Sequence, residues 1–225
     1  KANPCVLKLT IKKRGRILRA LALHLMKHKE SFYTVRYQSG ATRIDSWIAI
    51  EGGIRNLFAN ASLRRKLPDE TFSVDGDPIN LSKGNSFMGH HILVPKEGVA
   101  VHINAYNFPV WGMLEKIAVN LMAGMPAVVK PATVTSYLTE AVVKEIIASG
   151  ILPQGALQLI CGSAGNMLDF VTSQDVVTFT GSKSTAIKLK AQQAILTESV
   201  PFNMEADSLN CIVLGTDVTP GMPEW

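Results

Sequence analysis

The 225-residue sequence holds no G-x-G-x-x-G segment, so the usual glycine-rich dinucleotide cradle is not written in it. Its three cysteines, Cys5, Cys161 and Cys211, have neither metal-ligand spacing nor the look of a disulfide framework. Cys161 and Cys211 stand in apolar, strand-like runs, so buried reduced thiols and a cytoplasmic setting are expected. No apolar run is long enough to span a bilayer, and no signal peptide is visible. Charged residues are only 18% and hydrophobic residues 47%, the balance of a chain that buries a sizeable core. The net charge of +5 gathers in two short runs, Lys12-Lys13-Arg14 with Arg16, and Arg64-Arg65-Lys66. These read as solvated helix faces, with an anion-binding patch as the alternative. No nucleic-acid motif accompanies them, and neither nucleic acid nor membrane is expected as a partner.

What is present is organised around residues 98–133, which read as strand, turn, helix and strand. Asn107 follows the first strand and Lys130 ends the second, where ligands bind in open α/β sheets. Before this unit, residues 7–30 have helical spacing in Ile17, Leu18, Leu21, Ala22, Leu25 and Met26. His24 and His28 lie one turn apart there, which is also zinc-ligand spacing. No Glu follows the first His, so no metal site is expected. Residues 44–62 form a second helical segment, in which Gly52-Gly53 implies close packing or a break. Residues 67–86 are turn-rich and superficial, and 87–95 read as a strand. Beyond residue 98 the alternation is regular: strand 99–103, helix 111–123, strand 126–130, helix 136–149, strand 156–161, helix 164–172, strand 175–179, helix 183–190, and strands 200–204 and 211–214. The fold class is therefore α/β, a Rossmann-like, mostly parallel sheet with helices on both faces. N-terminal helices (1–66) and a stretch of loops and strands (67–97) precede its core (98–225).

Four features carry chemistry, each beside a plainer reading. Gly162-Ser163-Ala164-Gly165 and Phe179-Thr180-Gly181-Ser182 are strand-to-helix turns whose free N–H groups suit a phosphate; either is also an ordinary turn. Lys130 is a solvated rim lysine or a donor to ribose or phosphate. Asn107 serves its own turn or donates to a developing oxyanion. Glu205, directly after an apolar run, caps a turn or acts as a base.

Taken together, Asn107-Phe108-Pro109, Val129-Lys130-Pro131, Phe179-Thr180-Gly181-Ser182 and Glu205, in this order and spacing, resemble the aldehyde dehydrogenase superfamily. The likeness runs from the first helix to the end of the chain. A subgroup is suggested by Ser39-Gly40-Ala41-Thr42-Arg43, Ile50-Glu51-Gly52-Gly53, Ile160-Cys161-Gly162-Ser163 and Met204-Glu205-Ala206-Asp207-Ser208. These strings are similar to the dehydrogenase part of the bacterial bifunctional enzyme of phenylacetate degradation, in which a hydratase follows the dehydrogenase. A sister group acting in aerobic benzoyl-CoA breakdown is the nearest competitor.

The resemblance implies the mechanism. A cysteine thiolate attacks the aldehyde, hydride passes to a nicotinamide, and a glutamate activates the water that hydrolyses the thioester. Asn107 is then the oxyanion donor and Glu205 the general base. Lys130, Ala132 and Thr133 lie along the adenosine ribose, Gly162 and Ser163 near the adenosine side, and Phe179, Gly181 and Ser182 at the pyrophosphate. NAD-preferring members carry Glu three residues after the lysine, where this chain has Thr133. That removes a repulsion from a 2′-phosphate, so NADP is expected over NAD. The substrate implied is a CoA-linked semialdehyde, and the full-length protein is expected to be a homo-oligomer. No cysteine of this chain occupies the nucleophile's place, and the ends read as those of a fragment. The chain is accordingly expected to lack the catalytic domain and to be inactive alone. A non-catalytic nucleotide-binding module is the competing reading, and a CoA-phosphate site at Arg64 and Arg65 a third.

Overall fold

The computed structural model of the protein describes residues 6–209 and 211–223. Helix α1 (Ile11–Lys27) starts where the Thr10 hydroxyl accepts from the Lys13 N–H. It stops short of the expected residue 30, because His28 leaves helical geometry and its N–H turns back to the Leu25 carbonyl. A new helix, α2 (Lys29–Tyr37), sets off from that junction. Helix α3 (Arg43–Ser62) opens on a reciprocal cap between Thr42 and Asp45 and runs unbroken through Gly52-Gly53.

The chain then forms an antiparallel hairpin, β1 (Ser73–Asn80) with β2 (Met88–Leu93). Its main sheet comprises β3 (Ala100–Ile103), β4 (Ala127–Lys130), β5 (Leu157–Leu159), β6 (Val176–Gly181) and β7 (Phe202–Ala206). All five are parallel, in the order β5-β4-β3-β6-β7. Between them lie α4 (Pro109–Ala123), α5 (Ser136–Ala148), α6 (Lys183–Lys190) and α7 (Gln193–Thr197). The chain leaves β3 to one side for β4 and β5, then to the other for β6 and β7. The switch point is therefore between β3 and β6, where such sheets hold ligands.

The strands' period of two divides the core into two layers. Val129 and Leu157 pack with Leu114, Ile117, Leu138 and Val142 of α4 and α5, and with Leu21 and Ile54 behind them. Val101, Ile103, Val177 and Phe179 face the other way, onto Leu168, Ala186 and Ile195. The glycine pair of α3 serves the first layer. A Cβ on Gly52 would lie 2.2 Å from the Trp111 ring, and one on Gly53 2.9 Å from the Trp111 Cα, so close packing is the reason for both. No helix among the described residues is long and apolar enough to cross a membrane.

Four expectations are corrected. Arg14 is not on a solvated face; it is buried, donating to the carbonyls of Leu7, Thr71 and Met122, and it packs on Gly124, the left-handed cap of α4. Residues 164–172 are not a helix but a single 3-10 turn at Met167–Phe170, because Gly162 and Gly165 adopt positive φ and turn the chain. Residues 211–214 form no strand; they are exposed and have no neighbouring strand to complete a ladder. Cys161 and Cys211 are consequently exposed rather than buried. Cys5 lies outside the described residues.

Candidate functional site

Parallel strands put all their carboxyl ends on one edge, and the candidate residues lie along it. Across that edge come Gly162-Ser163 after β5, Lys130 at the end of β4, Asn107 after β3, Gly181-Ser182 after β6 and Glu205 in β7. Asn107 and Glu205 share a cavity of about 360 Å³ with Ala105, Phe108, Trp111, Gly112, Lys116 and Thr180. Pro109 starts α4 two residues after Asn107, with Phe108 as the cap between them. Phe108 meets Trp111 edge-on at 6.0 Å, and the Trp111 indole donates to Glu115 at 2.9 Å.

Inside this cavity lies a chain of groups that the sequence reading did not single out. Lys116, almost buried in α4, donates from Nζ to the Thr180 hydroxyl at 2.8 Å. That hydroxyl donates in turn to Oε2 of Glu205 at 2.9 Å. A lysine on α4, beside Glu115 and nine positions after Asn107, was the available signal, but its partner Thr180 comes from β6. Register then places Thr180 directly beside Glu205 on the neighbouring strand.

One pleat nearer the amino ends, the β3 residue His102 pairs with Thr178. Its Nδ1 lies 2.8 Å from the Thr178 hydroxyl and its Nε2 2.8 Å from Oδ1 of Asn120. Since Asn120 spends its amide N–H on the Met125 carbonyl, its Oδ1 accepts, which puts the imidazole proton on Nε2. Burial lowers the His102 pKa to about 4, against the hydrogen bond it donates to Asn120 and with help from the Lys116 charge, so the ring is neutral.

The cofactor candidates sit elsewhere on the edge. Val129 faces α4, so alternation turns Lys130 to the opposite face, and its Nζ donates to the Pro131 carbonyl at 2.9 Å. Ala132 and the exposed Thr133 follow, Thr133 opening a short 3-10 turn. Gly162 has φ +103°, and the Ser163 hydroxyl accepts from the Gly165 N–H. Phe179 is buried, and its ring lies where a Cβ on Gly181 would be, 2.6 Å away, so it shapes that turn rather than facing solvent. Ser182 caps α6, accepting from the Thr185 N–H. The Lys183 N–H donates to Asp207, a residue at φ +62°, so a carboxylate already lies against the amino end of α6.

Residues 1–220 match the aldehyde dehydrogenase family model. The chain is 40% identical over 218 residues to a 3,4-dehydroadipyl-CoA semialdehyde dehydrogenase of Aromatoleum evansii, covering 96% of this chain and 42% of that protein. It is 28% identical to a mitochondrial succinate-semialdehyde dehydrogenase of Arabidopsis thaliana, covering 94% of this chain and 39% of the relative. The chain thus spans about 40% of the length of these relatives. Among solved structures, a lactaldehyde dehydrogenase superposes with a TM-score of 0.76 at 19% identity, over 89% of this chain and 40% of that one. A betaine aldehyde dehydrogenase of Staphylococcus aureus in complex with NAD+ gives 0.72 at 24%, over 88% and 37%. At these identities the likeness is one of fold.

Proposed function

The chain belongs to the aldehyde dehydrogenase family, and from that premise we propose that its carboxyl edge binds NADP and contributes to the oxidation of a CoA-linked semialdehyde to the acid. The observation that carries this reading is that Asn107 and Glu205 line one cavity, with Glu205 hydrogen-bonded to Thr180 and through it to Lys116.

The edge fits a dinucleotide by its own chemistry. Asn104, buried at the carboxyl end of β3 beside the switch point, has neither side-chain Nδ2 nor Oδ1 partnered. A buried amide left open at that place suits an arriving polar ligand. Lys130 would meet the adenosine ribose or its phosphate, Thr133 would leave room for a 2′-phosphate, and Gly181 with Ser182 would receive the pyrophosphate. When bound, the nicotinamide supplies the acceptor for the aldehyde's hydride.

The chain's own residues supply positioning and proton transfer. The Asn107 amide donates to the aldehyde oxygen as negative charge grows on it. Glu205 takes the proton of the water that cleaves the thioester. The Thr180 hydroxyl can give its single proton to only one partner; by giving it to Glu205 it leaves a lone pair for the Lys116 ammonium, which orients the carboxylate and stabilises its charge. Among the described residues no cysteine lines the cavity. This supports the reading that the nucleophile is contributed from outside this stretch and that the 225 residues alone are inactive.

The subgroup strings favour the semialdehyde of phenylacetate ring opening. The Aromatoleum evansii relative favours 3,4-dehydroadipyl-CoA semialdehyde as a second reading. Assay of the full-length protein with each CoA-linked aldehyde and with NADP+ or NAD+ separates them. NADPH formation with either aldehyde supports the proposal. Activity confined to CoA-free aldehydes, or to NAD+, overturns the substrate or the cofactor assignment respectively.

A further inference from the structure

Away from the carboxyl edge, α1 and α5 cross with their carboxyl-terminal turns together. His24 lies in the last turn of α1, His28 ends that helix, and Glu145 lies in the last turn of α5. Nε2 of His24 is 2.6 Å from Oε1 of Glu145, and Nδ1 of His28 is 3.6 Å from the same oxygen. The two rings are 4.5 Å apart at a tilt of 31°. One ligand atom from each of the three residues can be chosen with all within 4.8 Å of one another.

The two histidines alone did not indicate a site, because the third group comes from 121 residues along the chain. With it in place, we propose that His24, His28 and Glu145 bind a zinc-class divalent cation that clips α1 to α5. Two imidazoles and one carboxylate suit zinc and its first-row neighbours rather than magnesium or calcium. Ligand bonds of about 2.0–2.2 Å put donor atoms roughly 3.3–3.6 Å apart in a tetrahedron, so the observed spacings need only side-chain adjustment to reach it. Two helix carboxyl ends and a carboxylate converge there, opposed by the amino end of α2, which starts from His28. All three side chains keep some exposure, His28 most at 44%, which leaves an entry path and a water for the fourth position.

Competition titration of the protein with ZnCl2, and visible absorption after loading with Co2+, test this. The parent is expected to bind one Zn2+ at micromolar concentration or tighter, to melt at higher temperature with Zn2+, and to give the intense Co2+ bands of a four-coordinate site. His28→Gln and Glu145→Gln are each expected to weaken binding at least tenfold and to lose the bands, while melting like the parent in EDTA. His28 is the informative position, because its longer contact with Glu145 contributes little without metal. Binding unchanged in both variants would locate the metal elsewhere, and no zinc-dependent shift in the parent would leave only a helix-end hydrogen bond; either result overturns the site.

Discussion

Lys116 Nζ stands 3.9 Å from Oε2 of Glu205, with the Thr180 hydroxyl bridging the two. The bridge has a direction, ammonium to hydroxyl to carboxylate. In the full-length enzyme Glu205→Gln is expected to lower turnover by roughly 10²–10⁴-fold, the usual worth of a positioned base. Thr180→Val, which removes the bridge but keeps the shape, is expected to lower kcat with little change in KM, and Thr180→Ser to restore it. Steady-state kinetics checks this; a Thr180→Val enzyme with parental kcat would show that the bridge is idle.

Gly52 tests the packing of α3 on α4. Gly52→Ala adds about 1 kcal/mol of helix propensity, yet its Cβ meets the Trp111 ring at 2.2 Å. Overpacking of this kind costs about 1–3 kcal/mol, so a net loss in urea unfolding is expected. Trp111→Leu in the same chain should recover part of it. A stabilised Gly52→Ala would mean that the helices are not held this closely.

Arg14 satisfies three backbone carbonyls from within the core. Arg14→Met keeps the stem but removes those donors, so a loss of about 1–3 kcal/mol is expected. Arg16→Met, at an exposed position of the same basic run, should be close to neutral. Equal effects in chemical unfolding would contradict the assignment of Arg14 to the core.

His102 makes stability depend on pH. The unfolded ring binds a proton near pH 6.5 and the folded ring only near 4, because burial disfavours its charge. Between these values the unfolded state holds more protons, so this contribution to stability falls as pH drops, by up to about 3 kcal/mol. Urea unfolding at pH 7 and pH 5 should show a steeper loss in the parent than in His102→Gln. Identical losses would mean that His102 is not buried neutral.

The placement of the candidate residues along the strand ends was legible because it depends on local order. A polar residue after an apolar run marks the edge whatever the neighbouring strand is, which is why Asn107, Lys130 and Glu205 were visible. The β/α alternation followed for the same reason, whereas Gly52-Gly53 left close packing and a helix break both open until the approach of Trp111 decided it. Lys116 was not visible, and the link from Thr180 to Glu205 exists only once β6 and β7 are in register. Arg14 read as solvent-facing because a basic run carries no sign of which member turns inward; the carbonyls it meets come from Leu7, Thr71 and Met122. Residues 211–214 had the composition of a strand but lack a neighbour, and composition does not report neighbours. Glu145 reaches His24 and His28 only by tertiary packing.

Asp207 bears on the cofactor's phosphates. Its carboxylate accepts from the Lys183 N–H at the start of α6. A pyrophosphate arriving there meets a like charge, so Asp207→Asn is expected to tighten NADP binding several-fold. Unchanged or weaker binding in a fluorescence titration would indicate that the phosphates lie elsewhere.

The central claim is that this edge binds NADP, with Lys130 and Thr133 at the 2′-phosphate. Calorimetric titration of the full-length protein with NADP+ and with NAD+, in parallel with Thr133→Glu, tests it most directly. Tighter NADP+ binding is expected in the parent, with the preference reversed toward NAD+ in the variant. Tighter NAD+ binding in the parent, or a Thr133→Glu variant with unaltered preference, would contradict it.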